Sequence, residues 1–136
     1  MGALTQYLQA QFINLCPPGW TCRAEQRVLS VEWEALLGYA PRVDVLLAQA
    51  DGQRRLWIEF EVSRADPVAN HAKFATAHLF QPQPVTDVFV SMVSTHVARG
   101  RQNLAANTIH LMRRNGMRAY QTVPLPQIDG DRIKHL

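Results

Sequence analysis

Residues 41–63, PRVDVLLAQADGQRRLWIEFEVS, read as two β-strands joined by a tight turn. Apolar residues alternate with polar or bulky ones over positions 56–63, as in a strand with one buried face. The first half is apolar and β-branched, with a single acid, Asp44, in its middle. Between the halves, Asp51-Gly52 indicates a two-residue type I′ turn, which requires positive φ at both central residues. The stretch therefore predicts an antiparallel hairpin.

The two-residue loop sets which residues face each other across this hairpin. It places Asp44 opposite Glu59 and Arg42 opposite Glu61, with opposed Cβ atoms about 4.5–5.5 Å apart. Directly opposed like charges destabilise a sheet, so the pairing of Asp44 with Glu59 breaks a local rule unless a cation binds between them. The carboxylates of Asp44, Glu59 and Glu61 on one face therefore predict a divalent-metal site.

The same face has a simpler interpretation. Arg42 and Glu61 would form an ordinary cross-strand ion pair, and the whole face would be solvated, as one side of an antiparallel sheet often is. Leu46 and Trp57 lie among the acids, however, and apolar neighbours suit a cleft better than an open surface. Both interpretations stay open on the hairpin alone.

Composition places the chain among globular proteins of one domain. Its 136 residues are 47% hydrophobic and 18% charged, which is ordinary for a folded domain. We expect a single domain over residues 1–136, with an irregular tail over 124–136. The net charge of +3 and the pI near 9.2 are compatible with a polyanionic partner but too mild to require one.

Cysteine usage and the absence of long apolar runs predict a cytoplasmic protein. Cys16 and Cys22 lie six residues apart, without CxxC spacing or a nearby histidine, so a zinc site has little support and reduced thiols are expected. We find no basic segment followed by a long apolar run near the N-terminus, and no stretch long enough to span a membrane.

The rest of the chain alternates between helical and strand patterns. Apolar spacing and proline or glycine boundaries predict helices over 3–15, 67–80 and 96–115, and strands over 20–30, 85–94 and 118–123. Asp66 is the expected N-cap of the second of these helices. Residues 31–40 are either an extension of the preceding strand or a short irregular link. The predicted fold class is α/β (α+β), with a mixed sheet flanked by helices on both faces.

This order of elements and the acids of the hairpin resemble the restriction-endonuclease-like, or PD-(D/E)XK, nuclease superfamily. The resemblance rests on an αβββαβ core, on Asp44 in the second core strand and on Glu59-Phe60-Glu61 in the third. It covers the chain from the first helix to the strand at 85–94, and the motif itself is short and degenerate. Two departures stand out: Pro41 is not adjacent to Asp44, and Glu61 replaces the usual lysine.

The resemblance implies a catalytic centre that uses Mg²⁺ or Mn²⁺. Asp44 and Glu59 would be the primary metal ligands, and Glu61 a further metal ligand or the general base. Lys73, on the following helix, would supply the missing ammonium, although on its own it reads as a solvated helix residue. The family often has a glutamate on its first helix; here the nearest candidate is Glu25, on the adjacent strand.

The function expected from this resemblance is metal-dependent endonuclease action on DNA by a homodimer, because one small domain offers little surface for substrate selection. The alternative is a catalytically inactive nuclease-fold module that binds nucleic acid or protein. Four arginines of the long helix are candidates for phosphate contacts, or equally for a solvated surface: Arg99, Arg101, Arg113 and Arg114. His71 and His78 read as packing or surface histidines, and Trp57 as a core or rim residue.

Overall fold

A computed structural model describes residues 2–61, 67–95 and 97–122 in full, and the backbone of two short strands beyond them. The helices are α1 (Ala3–Asn14), α2 (Val31–Leu37), α3 (Pro67–Phe80) and α4 (Arg99–Arg114). The strands are β1 (Trp20–Arg27), β2 (Arg42–Gln49), β3 (Arg55–Glu61), β4 (Val88–Val93), β5 (Arg118–Thr122), β6 (Gln127–Asp129) and β7 (Arg132–Lys134). The predicted N-cap Asp66 lies outside the described residues, as do Val62, Ser63 and His96 of the predicted elements.

A five-stranded mixed sheet forms the centre of the molecule, in the order β1-β2-β3-β4-β5. Strand β2 is antiparallel to both of its neighbours, β1 and β3, whereas β3, β4 and β5 are parallel. The parallel pairs are connected through α3 and α4, as parallel neighbours require a crossover. This arrangement confirms the predicted α/β class with a mixed sheet.

The hairpin has the predicted register but a different loop. Val45 pairs with Ile58 and Ala48 with Arg55, as the sequence predicts. The strands close through a hydrogen bond from the Gln49 N–H to the Arg54 carbonyl, so the loop has four residues instead of two. Gly52 has a φ of 73° and Asp51 does not have a positive φ, so the predicted type I′ turn is wrong. The register survives because a shift of one residue would turn every apolar side chain to the wrong face.

Residues 31–37 form a helix, so both interpretations offered for the 31–40 segment are wrong. The Ser30 hydroxyl caps this helix by accepting a hydrogen bond from the Trp33 N–H. Gly38 ends it with a φ of 76°, in the left-handed conformation typical of a residue after a helix. The cap and the glycine are both visible in the sequence. The predicted irregular tail is also corrected in part, because β6 and β7 form an antiparallel pair.

Two apolar clusters lie on opposite faces of the sheet. Helix α1 packs Leu4 and Leu8 against one face, with Ile58 and Phe60 of β3. Helices α3 and α4 cover the other face, where Trp57 packs with a larger cluster that also receives side chains from α2. Successive strand residues point to opposite faces, so the alternation seen in the sequence of β3 separates the two clusters. Helices on both faces of the sheet are thus confirmed.

Cys16 and Cys22 are joined by a disulfide bond, so the prediction of reduced thiols is wrong. The bond connects the segment that follows α1 to β1. Sequence separation alone gave no reason to pair the two residues, because their approach depends on how the chain reverses between helix and strand. In the part of the chain that the structure describes, no helix is long and apolar enough to cross a membrane.

Candidate active site

Asp44 lies where the β2–β3 hairpin opens. The paired register between the two strands ends at Val45 and Ile58, one residue short of the predicted opposition of Asp44 and Glu59. In place of a backbone carbonyl, the Asp44 carboxylate accepts a hydrogen bond of 2.7 Å from the Phe60 N–H. The Asp44 side chain thus accepts the hydrogen bond that the Phe60 N–H would otherwise donate to a backbone carbonyl of β2. The carboxylate lies between the two strands.

Glu59 is buried beside it, with 6% of its surface exposed. Burial, and after it the negative charges of Asp44 and Glu61, raise the pKa of Glu59 to about 9. The ammonium of Lys73 acts in the opposite direction. The two like charges are therefore close enough to oppose each other's ionisation, as the sequence predicts for the pair.

The pKa of Asp44 is raised as well, chiefly by burial and also by the charge of Glu25. The hydrogen bond from Phe60 and the contact with the Glu59 side chain oppose this rise, as does the charge of Lys73. We call Asp44 and Glu59 the acid pair. Its two carboxyl groups interact with each other in a setting where both are held toward the neutral form.

Lys73 approaches the acid pair from α3, as the sequence predicts. It lines a recess of about 10 Å³ together with Glu59, Asn70 and the exposed Arg42. A volume of this size accommodates about one water molecule. Lys73 is itself exposed, so its ammonium reaches the acids from the solvent side.

Glu61 is fully buried, and both its side chain and its backbone form hydrogen bonds with other elements. The Asn70 amide donates a hydrogen bond to its Oε1, and its backbone carbonyl accepts one of 2.7 Å from the Ser94 N–H. Glu59 and Glu61 are both buried, so the alternative of a solvated acidic face is wrong. Glu61 contributes charge to the site while its side chain holds α3 against β3.

Gln9 of α1 is a site residue that the sequence analysis missed. Its amide nitrogen donates to Glu25 Oε1 at 3.0 Å and to the Asp44 carbonyl at 2.9 Å, and the side chain is buried. Glu25 itself has a φ of 52°, a conformation that non-glycine residues seldom adopt. The structure thus brings Glu25 next to Asp44, as expected. Nothing local marks Gln9, because its partners lie 16 and 35 residues along the chain.

The four arginines of α4 fall into two groups. Arg99 and Arg101 lie in its first turn, which follows the end of β4 that pairs with Glu61. Arg113 and Arg114 lie in the last turn, about 20 Å away along the helix. Arg113 is used by the fold, since its Nε donates to the Ala119 carbonyl at 2.6 Å. The structure therefore places only the first group at the acid end of the sheet.

Three further candidates prove to be structural. His71 is completely buried against Phe89, and burial lowers its pKa to about 4. His78 accepts a hydrogen bond from the Gln83 N–H and so fixes the α3–β4 loop. Trp57 is a core residue that is 3% exposed.

The donor set fits a hard divalent cation that needs few protein ligands. Among the residues that the structure describes, no three His, Cys, Asp or Glu side chains are arranged to hold a metal ion together. The acid pair remains, and Mg²⁺ commonly binds through one or two carboxylates with water completing its shell. The pKa of each acid is raised, so both carboxyl groups resist ionisation. A bound cation would stabilise their ionised forms.

Comparison of the chain with protein-family models, with curated proteins and with solved structures gives no match. The class that the fold and site define is an α/β domain in which a half-buried and a buried carboxylate, Asp44 and Glu59, meet at the opening of the central hairpin.

Proposed function

We propose that this protein is a divalent-metal-dependent phosphodiester hydrolase that acts on DNA, built on a restriction-endonuclease-like core. The observation that carries the proposal is the acid pair: Asp44 and Glu59 meet where β2 and β3 separate, with Lys73 facing them. Buried like charges are unfavourable for the fold alone, and such departures from local consistency mark functional sites.

In this proposal each residue has a distinct task. Asp44 and Glu59 would hold the cation, Mg²⁺ or Mn²⁺, which supplies an activated water and neutralises charge on the phosphoryl oxygens. The hydrogen bond from Phe60 orients the Asp44 carboxylate, and Gln9 fixes the Asp44 backbone from the other side. Lys73 would stabilise the negative charge that builds up as the phosphodiester is attacked.

In this proposal Glu61 is a structural residue and not the metal ligand or general base expected from the resemblance. The hydrogen bond that it accepts from Asn70 and its complete burial support this role. The ammonium that a lysine at position 61 would supply is provided in this proposal by Lys73, on the exposed side of the recess.

A catalytically inactive module of the same fold is the second candidate. It is favoured by the engagement of Glu61 and by a first helix that contributes the neutral Gln9 where a further acid would strengthen metal binding. Such a module would bind DNA through its positive charge, with Arg99 and Arg101 at the same end of the sheet as the acids, and would leave the phosphodiester intact.

The two candidates are separated by metal binding and by nicking of a supercoiled plasmid. Titration with Mn²⁺, followed calorimetrically, should show binding to the wild type that is lost in Asp44→Asn and Glu59→Gln. In Mg²⁺ or Mn²⁺ the wild type should nick the plasmid, and each variant should reduce the rate by about a hundredfold or more, because each removes a charge that the cation requires.

Glu32→Gln is the matched control, since Glu32 is an exposed acid in the first turn of α2. It should retain wild-type metal binding and nicking. Nicking by the Asp44→Asn and Glu59→Gln proteins at the wild-type rate would overturn the assignment of the acid pair. DNA binding without metal binding or nicking would support the inactive module. The expected homodimer and cytoplasmic location stay predictions, and light scattering of the purified protein checks the former.

A further inference from the structure

A polar cleft of about 440 Å³ lies next to the recess of Glu59 and Lys73, toward the start of β3. It lies between the end of β1, the β1–α2 link and the α3–β4 loop. We call it the glutamine cleft, because its polar lining is dominated by Gln26, Gln81 and Gln83, with Arg27 and Arg55. Its volume is within the range of sites that bind small planar ligands.

Charge in the cleft is already compensated. Arg55 Nη2 lies 2.7 Å from Asp87 Oδ2, and Arg27 Nε lies 3.3 Å from Glu34 Oε1. An anion such as a phosphate would have to compete with these carboxylates. A neutral ligand that offers hydrogen-bonding edges would not, so the cleft favours a neutral planar group over a charged one.

The hydrogen-bonding groups of the cleft suit a nucleobase. Gln81 Oε1 accepts from the Ser30 N–H at 2.9 Å, which holds the amide in place, and its nitrogen has no hydrogen-bond partner among the described residues. Glutamine amides pair with base edges, and guanidinium planes stack on unstacked bases. Gln83 Oε1 holds the Arg55 guanidinium at 2.8 Å, so that plane is fixed before a ligand arrives.

The cleft is adjacent to the acid pair. Val28 lines both the cleft and the recess that contains Glu59 and Lys73. Trp57, in the cleft wall, is two residues from Glu59 on the same face of β3, which corresponds to about 7 Å. A base in the cleft would therefore be about one nucleotide away from a phosphate at the acid pair.

We propose that the glutamine cleft binds an unstacked nucleobase that flanks the phosphate held at the acid pair. The substrate class is then DNA with unpaired bases, such as single strands, flaps or bulges, in preference to uninterrupted duplex. This inference rests on the proposed function, since it takes the phosphate site from the acid pair.

Binding is measured by fluorescence anisotropy with the full chain in EDTA, so that no metal-dependent cleavage takes place. The probes are a labelled single-stranded oligonucleotide and a blunt duplex of the same sequence. The wild type should bind the single strand at least about tenfold more tightly than the duplex. Gln26→Ala should weaken single-strand binding by about tenfold, because it removes one of the three amides that line the cleft. Arg27→Ala is a second variant, and it removes a guanidinium from the same wall.

Gln53→Ala is the matched control, because Gln53 is exposed in the hairpin loop outside the cleft. It should bind as the wild type does, and thermal denaturation checks that all variants fold. Equal affinity for single strand and duplex, or wild-type affinity in both cleft variants, would overturn the inference. Because binding is read without metal, a protein that binds unpaired DNA through the cleft but never nicks it would refute hydrolysis alone. Nicking unaffected by Gln26→Ala and Arg27→Ala would refute the cleft alone.

Discussion

Two buried carboxylates at opposite ends of the same sheet differ in whether the chain provides them with hydrogen-bond donors and an opposite charge. Asp87, before β4, is 8% exposed, and Glu59 is 6% exposed. Asp87 accepts hydrogen bonds from Arg55 at 3.2 and 2.7 Å and from the Trp57 Nε1–H at 3.0 Å. Glu59 instead faces Asp44 and Glu61, and Lys73 reaches it only from solvent.

The comparison shows that burial alone does not define a functional acid. Asp87 forms an ion pair with Arg55 and accepts a hydrogen bond from the indole N–H of Trp57, so its role is structural. Glu59 is buried next to the like charges of Asp44 and Glu61, and burial first and these charges second raise its pKa to about 9. A bound cation would therefore have its largest electrostatic effect at the Glu59 end of the sheet, where the negative charge is not compensated by the chain.

Removing the compensated acid should give the largest loss of stability. Asp87→Ala leaves the guanidinium of Arg55 and the indole N–H of Trp57 without their acceptor. We expect a decrease of about 3 kcal/mol in the free energy of unfolding, near the lower end for a broken buried pair because the Arg55 side chain is 30% exposed. Urea denaturation measures it.

Glu34→Ala is the control for this prediction, since it breaks the more exposed Arg27–Glu34 pair. Its effect should be less than about 1 kcal/mol. Similar losses in the two variants would show that the Asp87 end is no more important to the fold than an ordinary surface pair.

Stability should depend on pH through the uncompensated acids. Because the pKa of Glu59 is raised in the folded state, the folded protein binds more protons than the unfolded chain between about pH 5 and 9. The free energy of unfolding should therefore fall as pH rises through this window, by at most about 1.4 kcal/mol per pH unit for one proton. The raised pKa of Asp44 acts in the same direction.

Because of His71, the effect of the acids on stability is best measured in the upper part of this pH range. Its pKa is lowered to about 4, so it adds stability as pH rises from about 4 to 6.5, against the trend from Glu59. Denaturation between pH 7 and 9 in EDTA isolates the acids. Glu59→Gln should flatten the slope and Glu32→Gln should preserve it; an unchanged slope in Glu59→Gln would contradict the assigned pKa. Mn²⁺ affinity should rise with pH over the same range.

A smaller effect is expected from Asn70→Ala, which tests whether Glu61 belongs to the fold or to the reaction. Loss of the hydrogen bond to Glu61 should decrease the free energy of unfolding by about 1–2 kcal/mol. Asn107→Ala, at an exposed position of α4, is the control and should have little effect. Unchanged stability combined with a loss of nicking would assign Glu61 to the chemistry.

The sequence predicted most of the elements but not the contacts between them. Helix α3 is found at the predicted bounds, and α4 begins and ends within a few residues of prediction. Helix α2 was missed because seven residues carry too little periodicity, although its Ser30 cap and Gly38 were readable. Of the candidate site, Asp44, Glu59 and Lys73 were anticipated from one hairpin and one helix.

The local sequence pattern was sufficient to predict a side chain's neighbours wherever the two-residue period of a strand determines them. The register that the two-residue loop predicted is found although the loop has four residues, because alternation excludes a shift by one residue. Contacts across the chain required the tertiary structure: Gln9 reaches Asp44 over 35 residues, and Asn70 engages Glu61 from another element. The sequence therefore determined that the acids lie close together. Only the packing of α1 and α3 on the sheet decided that Glu61 is held by the fold while Asp44 and Glu59 remain as a pair.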